Sequence, residues 1–209
     1  RTSPVLDGRL RHELDLIEAN GGRVVALGLG ADGFRNVSVD NTAGGRALGA
    51  ALAARGYCRA IALVAAEGMA TSDARLAGFT DGFTTGGAAP PQVLRGAFTR
   101  EAGEQLMTQA LADGVQPGTV VWGVNDVVAI GALRAIRAVG REPGTDIALA
   151  GFDDIPMARD VTPTLTTVQV PLNELGYRAL HAGLDDELPA DLVPLSLEVR
   201  LRESTPPQS

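Results

Sequence analysis

The sequence predicts an α/β fold organised on a parallel sheet, and three observations carry that expectation. Between Thr119 and Asp154 a short apolar run (Val120, Val121, Trp122) precedes a stretch rich in helix formers, which is followed by a second apolar run over Ile147–Ala150. Neither apolar run alternates with polar residues, as expected of strands covered on both faces. Segments of strand and helix character alternate along the rest of the chain, the pattern of layered α/β proteins.

The central unit is the most explicit. Ile130, Leu133 and Ile136 recur at helical spacing over residues 126–139, Gly140 stands where a helix C-terminus favours glycine, and Pro143 lies beyond. Both strands end in polar pairs, Asn125–Asp126 and Asp153–Asp154. Ligands of open α/β sheets bind beyond the carboxyl ends of the strands, so an amide and a carboxylate are aimed at one side of the sheet. Asn or Asp ahead of a helix is also the ordinary N-cap. Asp126 is read as the cap, while Asn125 and Asp153 stay open between local structural roles and ligand contact.

Composition narrows the classes. The chain of 209 residues is long enough for one large domain or two small ones, and its 45% apolar content supports a sizeable core. A formal charge of −7 argues against a phosphate-gripping surface on this segment. The lone cysteine, Cys58, permits no intrachain disulfide and suits a reducing compartment. No apolar run approaches membrane-spanning length, and Arg1-Thr2-Ser3-Pro4 carries no signal-peptide core.

Taken in order, residues 1–8 are turn-like, and Arg9 to Asn20 reads as a helix stopped by Gly21-Gly22. Arg23 to Leu27 is a short strand. The glycines of Gly28-Leu29-Gly30-Ala31-Asp32-Gly33 match a dinucleotide fingerprint literally, but a loop and strand follow instead of the required helix, so they are read as turn residues. Thr42 to Arg55 is an Ala/Gly-rich helix suited to close packing. Ala60 to Ala65 is a buried strand leading to a helix with Leu76, Phe79 and Phe83 as its core stripe. Arg75 is placed in the first turn of that helix, off the stripe, where a cation opposes the helix dipole. Val93 to Phe98 is a strand, Thr99 an N-cap, and Glu101 to Ala112 a helix. Beyond the central unit come an extended segment, Thr164 to Val170, and a helix opened by Pro171 with Leu172, Leu175, Ala179 and Leu180 inward. Leu195, Leu197, Val199 and Leu201 alternate with polar residues as a half-buried strand, and residues from Ser204 on read as a disordered tail.

These residues together resemble the effector-binding region of the LacI/GalR family of bacterial transcription regulators. The resemblance rests on Val39-Asp40-Asn41, Arg75-Leu76-Ala77-Gly78-Phe79, the run from Asn125 to Ala132, the run from Asp146 to Asp154, Pro163 to Val168, and Leu201-Arg202-Glu203-Ser204, in order over nearly the whole chain. It implies a type I periplasmic-binding-protein-like fold: two doubly wound parallel-sheet subdomains around a cleft, crossed near Gly56, Gln169 and Leu188. The expected division is 1–56 plus 170–187 and 57–169 plus 188–203. The family's helix-turn-helix and two of its strands have no counterpart in the chain, so the N-terminal subdomain is expected to be partial and operator DNA to be contacted only by the missing part.

The same resemblance places effector contacts at Arg75, Asn125 and Asp153, with Phe98, Thr71 and Met69 at the matching aromatic and cleft-loop positions. Guanidinium, carboxamide and carboxylate suit the hydroxyls of a sugar or nucleoside-like molecule. Phe98 is equally open to a core role, and Trp122, mid-strand, is read as core. Met69 stands where purine-responsive relatives commonly carry a polar residue. The expected protein is a cytoplasmic, homodimeric regulator, with no enzyme activity, cofactor or metal. Arg75→Ala is expected to weaken effector binding with little loss of fold. An importer's solute-binding protein shares the fold, but the run from Leu165 to Val168 and the ending Leu201 to Ser204 resemble the regulators more. A metal-dependent hydrolase using Asp126, Asp153 and Asp154 is the remaining alternative; neither His12 nor His181 is placed near the crevice.

Overall fold

A computed structural model describes residues 8–28, 33–185 and 194–208. The elements in chain order are α1 (Gly8–Ala19), β1 (Val25–Leu27), β2 (Arg35–Val37), α2 (Asn41–Ala54), β3 (Arg59–Ala65), α3 (Ala70–Thr85), β4 (Gln92–Gly96) and α4 (Arg100–Asp113). There follow β5 (Thr119–Gly123), α5 (Asp126–Ala138), β6 (Ala148–Ala150), α6 (Met157–Asp160), β7 (Thr167–Gln169), α7 (Leu172–Leu184) and β8 (Glu198–Arg200). The contacts divide the chain into two compact units: Arg1–Asp40 with Pro171–Ser196, and Asn41–Val170 with Leu197–Ser209. The sequence reading places the first crossing at Gly56 instead. The difference is α2, which packs on α3. The crossing expected at Leu188, and residues 29–32 of the glycine run, lie outside the described residues.

The smaller unit holds α1, α7 and the parallel pair β1–β2, with a parallel bridge from Val39 to Leu195. Arg11 lies over the Phe34 ring, and the Arg35 guanidinium donates to the carbonyls of Ala182 and Asp185 at the end of α7. Two expectations fail here. Leu172 and Leu180 of α7 are exposed rather than inward, and only Ala182 of that helix is buried. With a two-stranded sheet, the described residues of this unit offer too little apolar surface to cover the helix.

The larger unit is built on an all-parallel sheet of order β4-β3-β5-β6. Residues 60–65 of β3 and all of β5 are buried, as their unbroken apolar runs require. The chain runs outward from β3 through α3 to β4, then returns through α4 and α5 in the opposite direction. Right-handed crossovers put helices of opposite travel on opposite faces, and α2 pairs with α3 while α4 pairs with α5. The α2–α3 pair is held at glycine distance. A Cβ on Gly78 would lie 2.0 Å from the Thr42 carbonyl oxygen, and one on Gly45 2.3 Å from that of Arg75. Under these helices Phe79 stacks on Trp122, ring centroids 4.4 Å apart, so Trp122 is core as expected.

The C-terminal segment departs from its expected form twice. The alternating strand is short, because Leu195 pairs with Val39 in one unit while β8 pairs antiparallel with β7 in the other. Nor is the stretch from Ser204 a tail. Ser204 and Thr205 are buried; Ser204 Oγ donates to Leu149 O (2.5 Å) and accepts from Thr166 N (2.8 Å), and Gln208 N donates to Arg55 O (2.7 Å). Polar residues that look solvent-bound in sequence here satisfy the edge beside β6.

Candidate functional site

Adjacent strands β3 and β5 send their connections in opposite directions, so the crevice at their carboxyl ends is the topological switch point of the sheet. Each candidate side chain of the larger unit stands on this rim: Met69 and Thr71 after β3, Phe98 after β4, Asn125 after β5, and Asp153 after β6.

Arg75 does not sit in the first turn of α3, nor off its stripe. The helix starts at Ala70, which places Arg75 in the second turn on the buried face with Ser72, Phe79 and Phe83; Leu76 is only half-buried. The start is set by main-chain hydrogen bonding after Met69, a residue with no cap signature, so the sequence could not locate it. The guanidinium is thereby aimed across the strand ends. Its Nε donates to Asn41 Oδ1 (2.8 Å), Nη1 to Val124 O (2.9 Å) and Nη2 to Asp153 Oδ1 (2.8 Å), while Cζ lies 3.9 Å from the Phe152 ring centroid. Burying a guanidinium costs several kcal/mol, offset here by charge-assisted bonds and the ring face. Burial pushes the Arg75 pKa down and the Asp153 pKa up, and each partner opposes the other's shift.

Asp153 and Asp154 both adopt positive φ, 114° and 55°, which is strained for residues with a Cβ. Asp153 N donates to Val168 O (2.9 Å), its carbonyl accepts from Val170 N, and Oδ1 is taken by Arg75. Its other oxygen has no protein donor among the described residues, and the side chain is 24% exposed. Asp154 differs. Its side chain is only 1% exposed, and it accepts from Arg202 Nη2 (2.5 Å), Arg159 Nη2 (2.7 Å) and Gln169 Nε2 (3.2 Å). Burial alone would raise its pKa, but the two guanidiniums hold it below the usual carboxylate range.

The cap assignment is reversed. Asn125 is the N-cap of α5, its Oδ1 accepting from Val128 N (2.8 Å), and its amide nitrogen has no partner among the described residues. Asp126 points inward, fully buried, accepting from Thr167 Oγ1 (2.6 Å) and Ile155 N (2.9 Å). Burial, reinforced by the neighbouring Asp153 and Asp154 carboxylates, pushes its pKa up to about 7. The three aspartates are thus engaged by three different sets of partners. Met69 is exposed, Thr71 and Phe98 half-buried; they share the rim but make no hydrogen bond to the Arg75–Asp153 pair. Sequence reasoning marks Asp154 only in the hydrolase alternative, and does not mark Asn41, Phe152 or Arg202 as site residues. The polar doublet ending a strand was a signal for Asp154; the others had none in isolation.

The fold and this rim define a periplasmic-binding-protein-like domain. The chain belongs to the periplasmic binding protein-like domain family, whose model matches residues 50–205. Among curated proteins it is similar to the HTH-type transcriptional repressor PurR of Escherichia coli O1:K1, 32% identical over 172 residues, which cover 81% of this chain and 50% of that one. The chain therefore spans about half the length of the curated relatives it matches. Among solved structures it is similar to a LacI-family regulatory protein from Chloroflexus aggregans (TM-score 0.77, 29% identity, 91% of this chain and 71% of that one). A LacI-family regulator from Enterococcus faecium with bound ribose shares the fold (TM-score 0.86, 24% identity, 99% and 78%). The regulator CelR in complex with cellobiose is also similar (TM-score 0.78, 25% identity, 95% and 71%). The LacI/GalR resemblance read from the motifs thus holds for the domain, and these relatives are regulators rather than importers or enzymes.

Proposed function

We propose that this chain is the effector-binding part of a cytoplasmic, homodimeric transcription regulator, and that a neutral sugar or related polyol is held on the rim by Asp153 and Asn125. The observation that carries the reading is the Arg75–Asp153 pair, in which the buried arginine bonds protein acceptors and one carboxylate oxygen has no protein donor among the described residues. That oxygen accepts from a ligand hydroxyl, and the Asn125 amide nitrogen donates to one. The pair carries no net charge, so an anionic ligand gains little from it. Thr71, Met69 and Phe98 supply the walls, Phe98 as a stacking face. The ribose and cellobiose complexes of similar regulators support the ligand class, and the PurR likeness supports operator binding by a helix-turn-helix elsewhere in the parent protein. The formal charge of −7 fits a segment that does not itself grip DNA.

The reading is tested by thermal shift with D-ribose, cellobiose, ribose 5-phosphate and a purine nucleoside. A sugar at a hundredfold excess over its Kd should add about 2.7 kcal/mol of stability, and Asp153→Asn should abolish the increment. A shift by ribose 5-phosphate alone, or none by any sugar in a broad panel, overturns it.

A further inference from the structure

Asp154 lies next to the ligand-facing carboxylate, yet its own side chain is turned away and buried. The turn that carries both residues runs from Gly151 to Ile155, and its main chain is pinned at each step. Gly151 N donates to Thr166 O (2.8 Å), Phe152 O accepts from Asp126 N (2.7 Å), Asp153 N donates to Val168 O (2.9 Å), and Ile155 N donates to Asp126 Oδ2 (2.9 Å). Two consecutive non-glycine residues at positive φ are strained, so this geometry persists only because something over-determines it. The Asp154 carboxylate is the charged group placed to do so.

Its partners come from three separate stretches of chain. Arg159 is on α6, Gln169 ends β7, and Arg202 follows β8. Arg202 is itself fixed, its Nη1 donating to Leu165 O (2.8 Å) and its main-chain N to Thr166 Oγ1 (2.8 Å). Gln169 is held by the Arg200 guanidinium through its Oε1 (2.6 Å). A buried carboxylate fastened to two guanidiniums and an anchored amide cannot rotate outward without stranding their charges. The residue before it is therefore held with its side chain toward Arg75.

We propose that Asp154 is a positioning residue of the effector site: clamped by Arg202, Arg159 and Gln169, it holds the Asp153–Asp154 turn in its left-handed conformation and so keeps the Asp153 carboxylate on Arg75. Asp154 touches no ligand; it acts through Asp153. The purpose assigned to the turn rests on the effector reading above, whereas the clamp itself is readable without any ligand.

The test is Asp154→Asn in the full chain, which keeps the side-chain shape and the tolerance of Asn for positive φ but removes the charge. Circular dichroism checks the fold, and ¹⁵N NMR of the arginine side chains reads the Arg75 guanidinium, whose Nη signals should be resolved in the wild type because Asp153 pins them. Asp154→Asn should merge or broaden the Arg75 Nη signals and speed Asp153 amide exchange at least tenfold, with α5 amides unchanged. Arg202→Met should reproduce both effects, and Arg202→Lys should restore them in part. Should Asp154→Asn fail to fold, Arg159→Ala replaces it, since that arginine side chain is 59% exposed. Arg75 signals and Asp153 exchange identical to wild type in the folded variants overturn the proposal. Calorimetry with D-ribose on the same proteins should show at least tenfold weaker binding for Asp154→Asn; wild-type affinity in that variant overturns the proposal as well. Failure of the wild type to bind any sugar would sink the effector reading, and the Arg75 signals would still decide the clamp.

Discussion

Arg75 and Asp153, 78 positions apart in the chain, meet at 2.8 Å, and the arginine is only 7% exposed. The guanidinium is a tie between α2, the end of β5 and the turn after β6 before it is anything else. A buried charge with three acceptors has a stability role that an exposed ligand-gripping arginine would not have.

Arg75→Ala should therefore do more than weaken ligand binding. It strands the Asp153 carboxylate and frees Asn41 Oδ1 and Val124 O, so the chain should lose about 3 kcal/mol or more of stability. This replaces the sequence-based expectation of an intact fold. Urea denaturation should show a lower midpoint. Arg75→Lys, which keeps the charge but lacks the planar fork, should fall between the two. A midpoint within error of wild type for Arg75→Ala would contradict the tie.

Asp126 makes stability depend on pH in an uncommon direction. Its pKa is pushed up to about 7 in the native state, against about 3.9 for an unfolded aspartate. Between these values the native protein holds a proton that the unfolded chain has released, so its contribution to stability falls as pH rises through the window. The contribution is fully present below about pH 4 and lost above about pH 7. Asp126→Asn keeps an acceptor for Ile155 N and offers N–H to Thr167 Oγ1, so it should flatten the Asp126 part of the profile. Denaturation midpoints between pH 4 and 8 for both proteins check this, and parallel slopes would refute it.

The α2–α3 contact predicts a third outcome. Gly78→Ala places a methyl 2.0 Å from the Thr42 carbonyl oxygen, an overlap with backbone that no rotamer relieves. The helices must part, at about 1–3 kcal/mol. Asn41 opens α2 and Arg75 precedes Gly78 by one turn, so sugar binding should weaken along with the fall in Tm. An unaltered Tm would mean that the helices are not in contact as described.

How much of this was legible in sequence varies with the range of the signal. The strand β5, the helix α5 and the Thr99 cap of α4 follow from apolar runs, helical spacing and a capping residue, all read within a few positions. Asn125 and Asp126 show where local reading stops. Both residues suit an N-cap, and only the approach of Thr167 and Ile155 draws Asp126 inward and leaves the cap to Asn125. Ser204 and Thr205 read as solvent-bound because their acceptors and donors lie far away in the chain, beside Leu149 and Thr166.

By itself, the sequence determined the α/β class, the parallel sheet and the strand ends that carry Asn125 and Asp153, because hydrophobic periodicity and strand-end polarity are short-range records of burial. Tertiary structure alone decided that Arg75 bonds Asn41, Val124 and Asp153, that Asp154 is sealed by Arg159 and Arg202, and that Asp126 is buried with only a hydroxyl and a main-chain amide as hydrogen-bond donors. Those pairings join residues brought close only by the winding of the sheet, and the charge state of a buried group is set by whichever neighbours that winding supplies.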